Sequence, residues 1–206
     1  MSGEVKIAEW TRLSTFYASD VKIDDEDFGI ASDRDENVEE FHAENKIKVK
    51  FLPIAVDEKF PNLKEFHVIH CPVQNISSLN FKNLKKLEKL NLRANKIVSI
   101  EPNSFNDLIA LKMLQLELNK LKEVDANWFK NLQNLNILIL SSNQISALPE
   151  NAFENLSELT VIYLSYNQLK SLPAQLFSAN KKLETINLKE NQIVEIPSNF
   201  FAGLIE

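Results

Sequence analysis

The sequence predicts an α/β solenoid: a right-handed horseshoe with a parallel β-sheet on its concave face and an N-terminal β cap. Three columns of residues predict it. Leu63, Leu87, Leu111, Leu135, Leu159 and Leu183 recur in steps of 24 residues. Asn95, Asn119, Asn143, Asn167 and Asn191 keep the same step, as do Phe81, Phe105, Phe129, Phe153, Phe177 and Phe201. A period of this length marks an architecture in which each unit stacks only on its neighbours.

Each unit reads L-x-x-L-x-L-x-x-N-x-L-x-x-L, followed by F-x-x-L. The copy from Leu135 to Leu156 runs Leu135, Leu138, Leu140, Asn143, Ile145, Leu148, Phe153, Leu156. In a strand, alternate side chains face opposite ways. Leu114 and Leu116 therefore point inward, and Met113, Gln115 and Glu117 point outward. Where the chain turns away from the strand, an inward asparagine amide can satisfy buried backbone groups in every turn. The phenylalanine column fills the space beneath the convex side. The first unit fits with Leu63, Phe66, Val68, Val73, Ile76, Phe81 and Leu84, but Cys71 replaces the asparagine. Cysteine is an accepted alternative there, so Cys71 reads as a buried structural thiol.

Charge divides the chain. Residues 1–46 hold 13 Asp and Glu against 5 Lys and Arg, whereas residues 47–206 hold 16 against 18. The division places an acidic capping region at 1–46 and the repeat domain at 47–206. The latter opens with a half-repeat, 47–62, and continues as six repeats of 24 residues over 63–206. Ile47, Val49 and Phe51 alternate, and read as the strand that starts the sheet. Segments 5–10 and 16–23 read as two strands that pair as the cap. The acidic stretch Asp24-Asp25-Glu26-Asp27 follows them, and residues 33–45 read as a surface loop with some helical content. Past Leu204-Ile205-Glu206 a further repeat or capping helix would be needed, so self-association through this end is one expectation.

The unit resembles the leucine-rich-repeat family, in its 24-residue animal extracellular type. The residues that carry the likeness are the Leu-Pro pairs and the phenylalanine column, with Phe51-Leu52-Pro53 and Phe60-Pro61-Asn62-Leu63. Toll-receptor ectodomains and small secreted insect repeat proteins share the type. The resemblance implies a recognition module, and an N-terminal strand pair closed by a disulfide. Tyr17-Ala18-Ser19-Asp20-Val21 is similar to one of those strands, with Ser19 at an expected cysteine position and Ile7 or Ala8 near the other.

Cys71 is the single cysteine, so no internal disulfide forms, which read alone fits a reducing compartment. Met1-Ser2-Gly3-Glu4-Val5-Lys6 has no signal-peptide core. The chain is either a secreted mature region without its leader or a cytoplasmic protein. The sequons Asn75-Ile76-Ser77 and Asn155-Leu156-Ser157 lie off the concave strand and give weak support to secretion.

No catalytic constellation, metal or cofactor is expected. With Gly3, Gly29 and Gly203 as the only glycines, no phosphate-binding loop can form. His67 and His70 face outward beside Glu65 on the first strand, and read as surface polar residues rather than a zinc site. No basic face marks a nucleic-acid footprint, and no apolar run is long enough to span a membrane.

The concave face is the candidate site. Met113, Leu118, Ile137, Ile139, Val161, Tyr163 and Tyr166 form an apolar centre. Arg93 and Glu117 stand on its charged rim. Such a layout fits a protein ligand. An extracellular innate-immune or adhesion module is the leading reading, with an intracellular scaffold or an engineered binding scaffold as alternatives.

Overall fold

The computed structural model describes residues 15–17, 36–45, 49–201 and 204. Its main sheet has eight parallel strands in the order β1-β2-β3-β5-β7-β8-β9-β10. They are β1 Thr15–Tyr17, β2 Glu40–Glu44, β3 Glu65–Ile69, β5 Lys89–Asn91, β7 Met113–Gln115, β8 Ile137–Ile139, β9 Val161–Tyr163 and β10 Thr185–Asn187. The pairing β4 Asn75–Ile76 with β6 Ser99–Ile100 makes a second, two-stranded sheet. The predicted solenoid is present. Register advances by one 24-residue unit per strand from β3 to β10, so Leu90 lies beside Leu114, Leu138 and Ile162.

Local chemistry explains the short strands. From Leu87 to Leu92 the burial alternates, with Leu87, Leu90 and Leu92 inward and fully buried. Each fully buried leucine contributes roughly 1.5–3 kcal/mol relative to exposure. Just past β3, and three residues past each later strand of the main sheet, one residue takes a left-handed conformation: His70, Ala94, Leu118, Ser142, Tyr166 and Glu190, with φ between 53° and 58°. Its N–H still reaches the next strand, as from Leu118 to Ser141 O at 3.1 Å. The left-handed residue swings the chain inward and delivers the following asparagine to the core.

The asparagine column forms a hydrogen-bonded ladder. Asn119 Nδ2 donates to Leu92 O at 2.9 Å and Leu116 O at 3.0 Å, while its Oδ1 accepts from Ile97 N at 3.0 Å. Asn143 and Asn167 repeat this pattern one and two units on. Cys71 takes the same place as a buried thiol that donates weakly to Ile69 O at 3.4 Å. Asn95 Oδ1 accepts the Cys71 N–H at 3.2 Å.

The aromatic column packs beneath. Phe129 and Phe153 rings lie 5.9 Å apart, Phe153 and Phe177 5.6 Å apart. The column does not run to Phe201, which is 45% exposed; Phe200 turns inward instead, its ring 5.5 Å from Phe177. Phe200 continues the adjacent buried row of Trp128, Ala152 and Leu176.

The start of the sheet corrects two expectations. Residues 49–51 form no strand and Phe51 is 54% exposed, while Ile47 lies outside the described residues. The strand ahead of β3 is β2, inside the segment read as a loop. Glu40-Phe41-His42-Ala43-Glu44 alternates, and it buries Phe41 and Ala43 under Phe66 and Val68. The Phe41 and Phe66 rings stack at 4.7 Å. The 47–62 segment instead supplies a helical turn, Val56–Lys59, with Phe60 buried beside it. Of the expected cap strands, Thr15–Tyr17 joins the sheet in parallel with β2. Segment 5–10, the rest of 16–23 and Ser19 lie outside the described residues.

Candidate functional site: the concave sheet face

Three rows of outward side chains run across the strands. The first holds Glu40, Glu65, Lys89, Met113, Ile137, Val161 and Thr185. The second holds His42, His67, Asn91, Gln115, Ile139, Tyr163 and Asn187. The third continues past the strands as Arg93, Glu117, Ser141, Ser165 and Lys189. Their carbonyls each accept from the chain one unit earlier, as Ser165 O does from Ser142 N at 2.9 Å.

Of the predicted site residues, Met113, Ile137, Ile139, Val161 and Tyr163 form one contiguous half-buried block on β7, β8 and β9. Leu118 and Tyr166 are separated from it. A polar seam intervenes, made by Glu117, Ser141 and Ser165, whose two serine hydroxyls hydrogen-bond at 2.9 Å. Beyond the seam, Leu118 and Tyr166 occupy the left-handed turns at the lip, 43% and 54% exposed, with Ser142 between them.

Glu117 is the electrostatic anomaly of the face. Arg93 Nε lies 3.6 Å from Oε1, too far for a hydrogen bond, and Gln115 Nε2 makes a long contact of 3.5 Å. Its Oε2 is buried and has no partner among the described residues. Burial pushes the Glu117 carboxyl above its ordinary range, against the pull of backbone N–H and Arg93.

A second cluster sits on β2, β3 and β5. The His42 and His67 rings stack 4.4 Å apart and within 7° of parallel. His42 Nε2 meets Glu40 Oε2 at 3.3 Å, and His67 Nε2 meets Glu65 Oε2 at 3.1 Å. Lys89 donates to the other Glu65 oxygen. Burial pushes His67 below the usual histidine range, although its bond to Glu65 opposes this. Burial acts to raise Glu65, but the bonds from Lys89 and His67 outweigh it and hold the carboxyl low. His67 and His70 do not come together: His70 stands exposed in a left-handed turn. The loop reading of residues 33–45 hid Glu40 and His42 from sequence reasoning. The signal that could have found them is the alternation from Glu40 to Glu44, which matches Glu65 to Ile69 position by position.

Away from this face, Asn75 of the first sequon is exposed on β4 and Asn155 of the second is half-buried. No helix among the described residues is long and apolar enough to cross a membrane.

The search of curated proteins finds no match. Among solved structures, the chain of TLR13 in the TLR13–ssRNA13 complex superposes with a TM-score of 0.62 at 24% identity. The likeness covers 82% of this chain and 27% of that one, so this chain spans about a quarter of its length. The family model described as Leucine rich repeat matches residues 61–121, 109–169 and 157–205. With those matches falling on the same turns that carry the asparagine ladder, the chain belongs to the leucine-rich-repeat family.

Proposed function

We propose that this chain is a protein-recognition module of the extracellular innate-immune or adhesion kind, and that it binds its partner on the concave face. One observation carries the reading. Met113, Ile137, Ile139, Val161 and Tyr163 form an apolar block that faces outward, although the body has its own filled core. Contiguous outward apolar surface marks contact sites, and tyrosine is a favoured anchor within them. TLR13 is solved with ssRNA13. A polyanion on this chain would meet Glu40, Glu44, Glu65 and Glu117, which favours a protein partner instead. An intracellular scaffold would use the same face. The lone buried thiol of Cys71 favours that second reading, and the location of the native protein decides between them.

The test starts from a partner captured from the native source. Tyr163→Ala and Ile139→Asp should each weaken binding about tenfold or more without unfolding the protein, as loss of an interface anchor does. Glu154→Ala, on the opposite side, should leave affinity unchanged. Loss of binding in the Glu154 variant alone would overturn the assignment of the face.

A further inference from the structure

We infer that the concave face receives a protein segment presenting a cationic side chain beside an apolar one, and that protonation of His67 releases it. The inference rests on the concave-face reading and specifies the chemistry of the partner.

Charge complementarity is the first argument. The outward positions of β2, β3, β5, β7 and their continuations carry Glu40, Glu44, Glu65 and Glu117 against Lys89 and Arg93. Among the described outward positions, four carboxylates stand against two cations, a net of minus two. Lys89 is already bound to Glu65, and Arg93 lies against Glu117. The outward positions of β8 and β9 carry no charge: Ile137, Ile139 and Ser141, then Val161, Tyr163 and Ser165. An acidic half therefore abuts an apolar half in the same sheet. A segment that matches both carries an ammonium or guanidinium group on one side and an aliphatic or aromatic group on the other.

Glu117 stands at the boundary. Its Oε2 lacks a donor, and the nearest cation is not within hydrogen-bonding distance. A buried carboxylate oxygen without a donor is costly. A partner cation that displaces the Arg93 side chain and enters beside Gln115 and Leu118 supplies the missing donor.

The second argument is the histidine pair. A proton on the His67 ring sits 3.1 Å from the Glu65 carboxylate and cancels its charge toward an incoming cation. That ring proton brings the described outward positions from minus two to minus one. Among the described residues, the charged groups beside the stacked rings are Glu40 and Glu44 from β2 and Glu65 from β3. Lys89 and Arg93 face them from β5, Glu117 from β7, and register sets Tyr17 of β1 beside His42. The His42 ring stacks on that of His67 at 4.4 Å. Burial holds His67 below the usual histidine range, so its ring takes up the proton only on the acid side of that range.

The experiment uses the whole chain, labelled with nitrogen-15, and two acetylated, amidated pentapeptides as probes. One reads Lys-Lys-Leu-Tyr-Leu and the other Glu-Glu-Leu-Tyr-Leu. Amide shifts should move on β3, β5, β7, β8 and β9 with the lysine peptide and not with the glutamate peptide. Glu65→Gln and Glu117→Gln should each weaken the lysine peptide roughly threefold to fivefold, the range of an exposed ion pair. Acidification from about pH 7.5 to about pH 5.5, across the histidine range, should weaken it similarly in the natural chain. His67→Gln, with its fold checked by the same spectra, should remove most of that pH dependence. Equal shifts by both peptides on these strands would overturn the inference and leave the face assignment standing. Shifts confined to the opposite side would overturn both. Silence of both peptides, or an oligouridylate that binds the face more tightly than the lysine peptide, would overturn the cationic-segment inference.

Discussion

The side chain of Asn143 accepts the backbone N–H of Leu121, 22 residues earlier, at 3.0 Å. Its Nδ2 donates at the same time to Leu116 O at 3.0 Å and Leu140 O at 3.1 Å. One amide thus closes three backbone groups in two successive turns. Asn143→Ala should cost about 1–3 kcal/mol, because those buried groups lose their partner. Asn151→Ala is the control, since Asn151 is exposed and makes only a long contact with Glu154 at 3.5 Å. Asn136 is a poorer control: it is half-buried, and its Nδ2 donates to Glu158 O at 3.0 Å. Denaturant midpoints compare the two variants, and equal midpoints would contradict the ladder.

The ladder was legible because it repeats. Asparagine at one register position in successive turns has one physical use, and the structure shows it. The rows of the concave face were legible for the same reason, since period-two alternation assigns each residue to a face. Three features were not. Strand β2 carries no leucine, so Phe41 and Ala43 were masked by the charged residues around them. Its spacing to β3 is also 25 residues, since Phe41 pairs with Phe66. Phe51 misled in the other direction: it is 54% exposed, although Val49 two residues earlier is buried in the core. The seam of Glu117, Ser141 and Ser165, which splits the apolar patch, depends on neighbours one unit away. A single repeat does not reveal it.

Two of the perturbed groups on the face predict opposite pH effects. For His67, burial holds the folded pKa below that of the unfolded chain, so the folded state binds fewer protons. Its contribution is therefore present above the unfolded value and is lost as pH falls through the folded one. Lowering the pH from about 7.5 to about 5.5 should destabilise the natural chain more than His67→Gln. Thermal unfolding at the two pH values measures this. An equal loss in both proteins would mean that His67 is not the titrating group.

For Glu117, burial raises the folded pKa above the unfolded one. Stability from this group is complete below the unfolded carboxyl value and is lost as pH rises through the folded value. Glu117→Gln should therefore raise the melting temperature at about pH 7.5 and change it little near about pH 4. A lower melting temperature at neutral pH would mean that the carboxylate earns more from Arg93 than burial costs it.

The last repeat is the least buried of the six. Leu183, Ile186 and Leu188 are only half-buried, whereas Leu159, Ile162 and Leu164 one unit earlier are fully buried. Val194 is 93% exposed. Hydrogen exchange should be faster over residues 183–201 than over residues 111–158, because opening free energy follows local burial. Protection of the last turn that rises with protein concentration would show instead that copies of the chain associate through it.

Leu118 separates binding from folding. It has φ 58°, where a residue with a Cβ is disfavoured by roughly 1–2 kcal/mol. Its side chain is 43% exposed, so little burial offsets that cost. Asparagine tolerates the left-handed turn better than leucine. Leu118→Asn should therefore keep or raise the unfolding midpoint while it removes apolar surface from the lip. Leu116→Asn, two residues earlier and fully buried, should unfold the protein under the same conditions. With a partner in hand, the Leu118 variant should bind more weakly than the natural chain at equal or greater stability. Loss of more than about 1 kcal/mol in the Leu118 variant would show that the leucine packs for the fold. The lip would then be part of the scaffold, and binding would rest on the block of Met113, Ile137, Ile139, Val161 and Tyr163 alone.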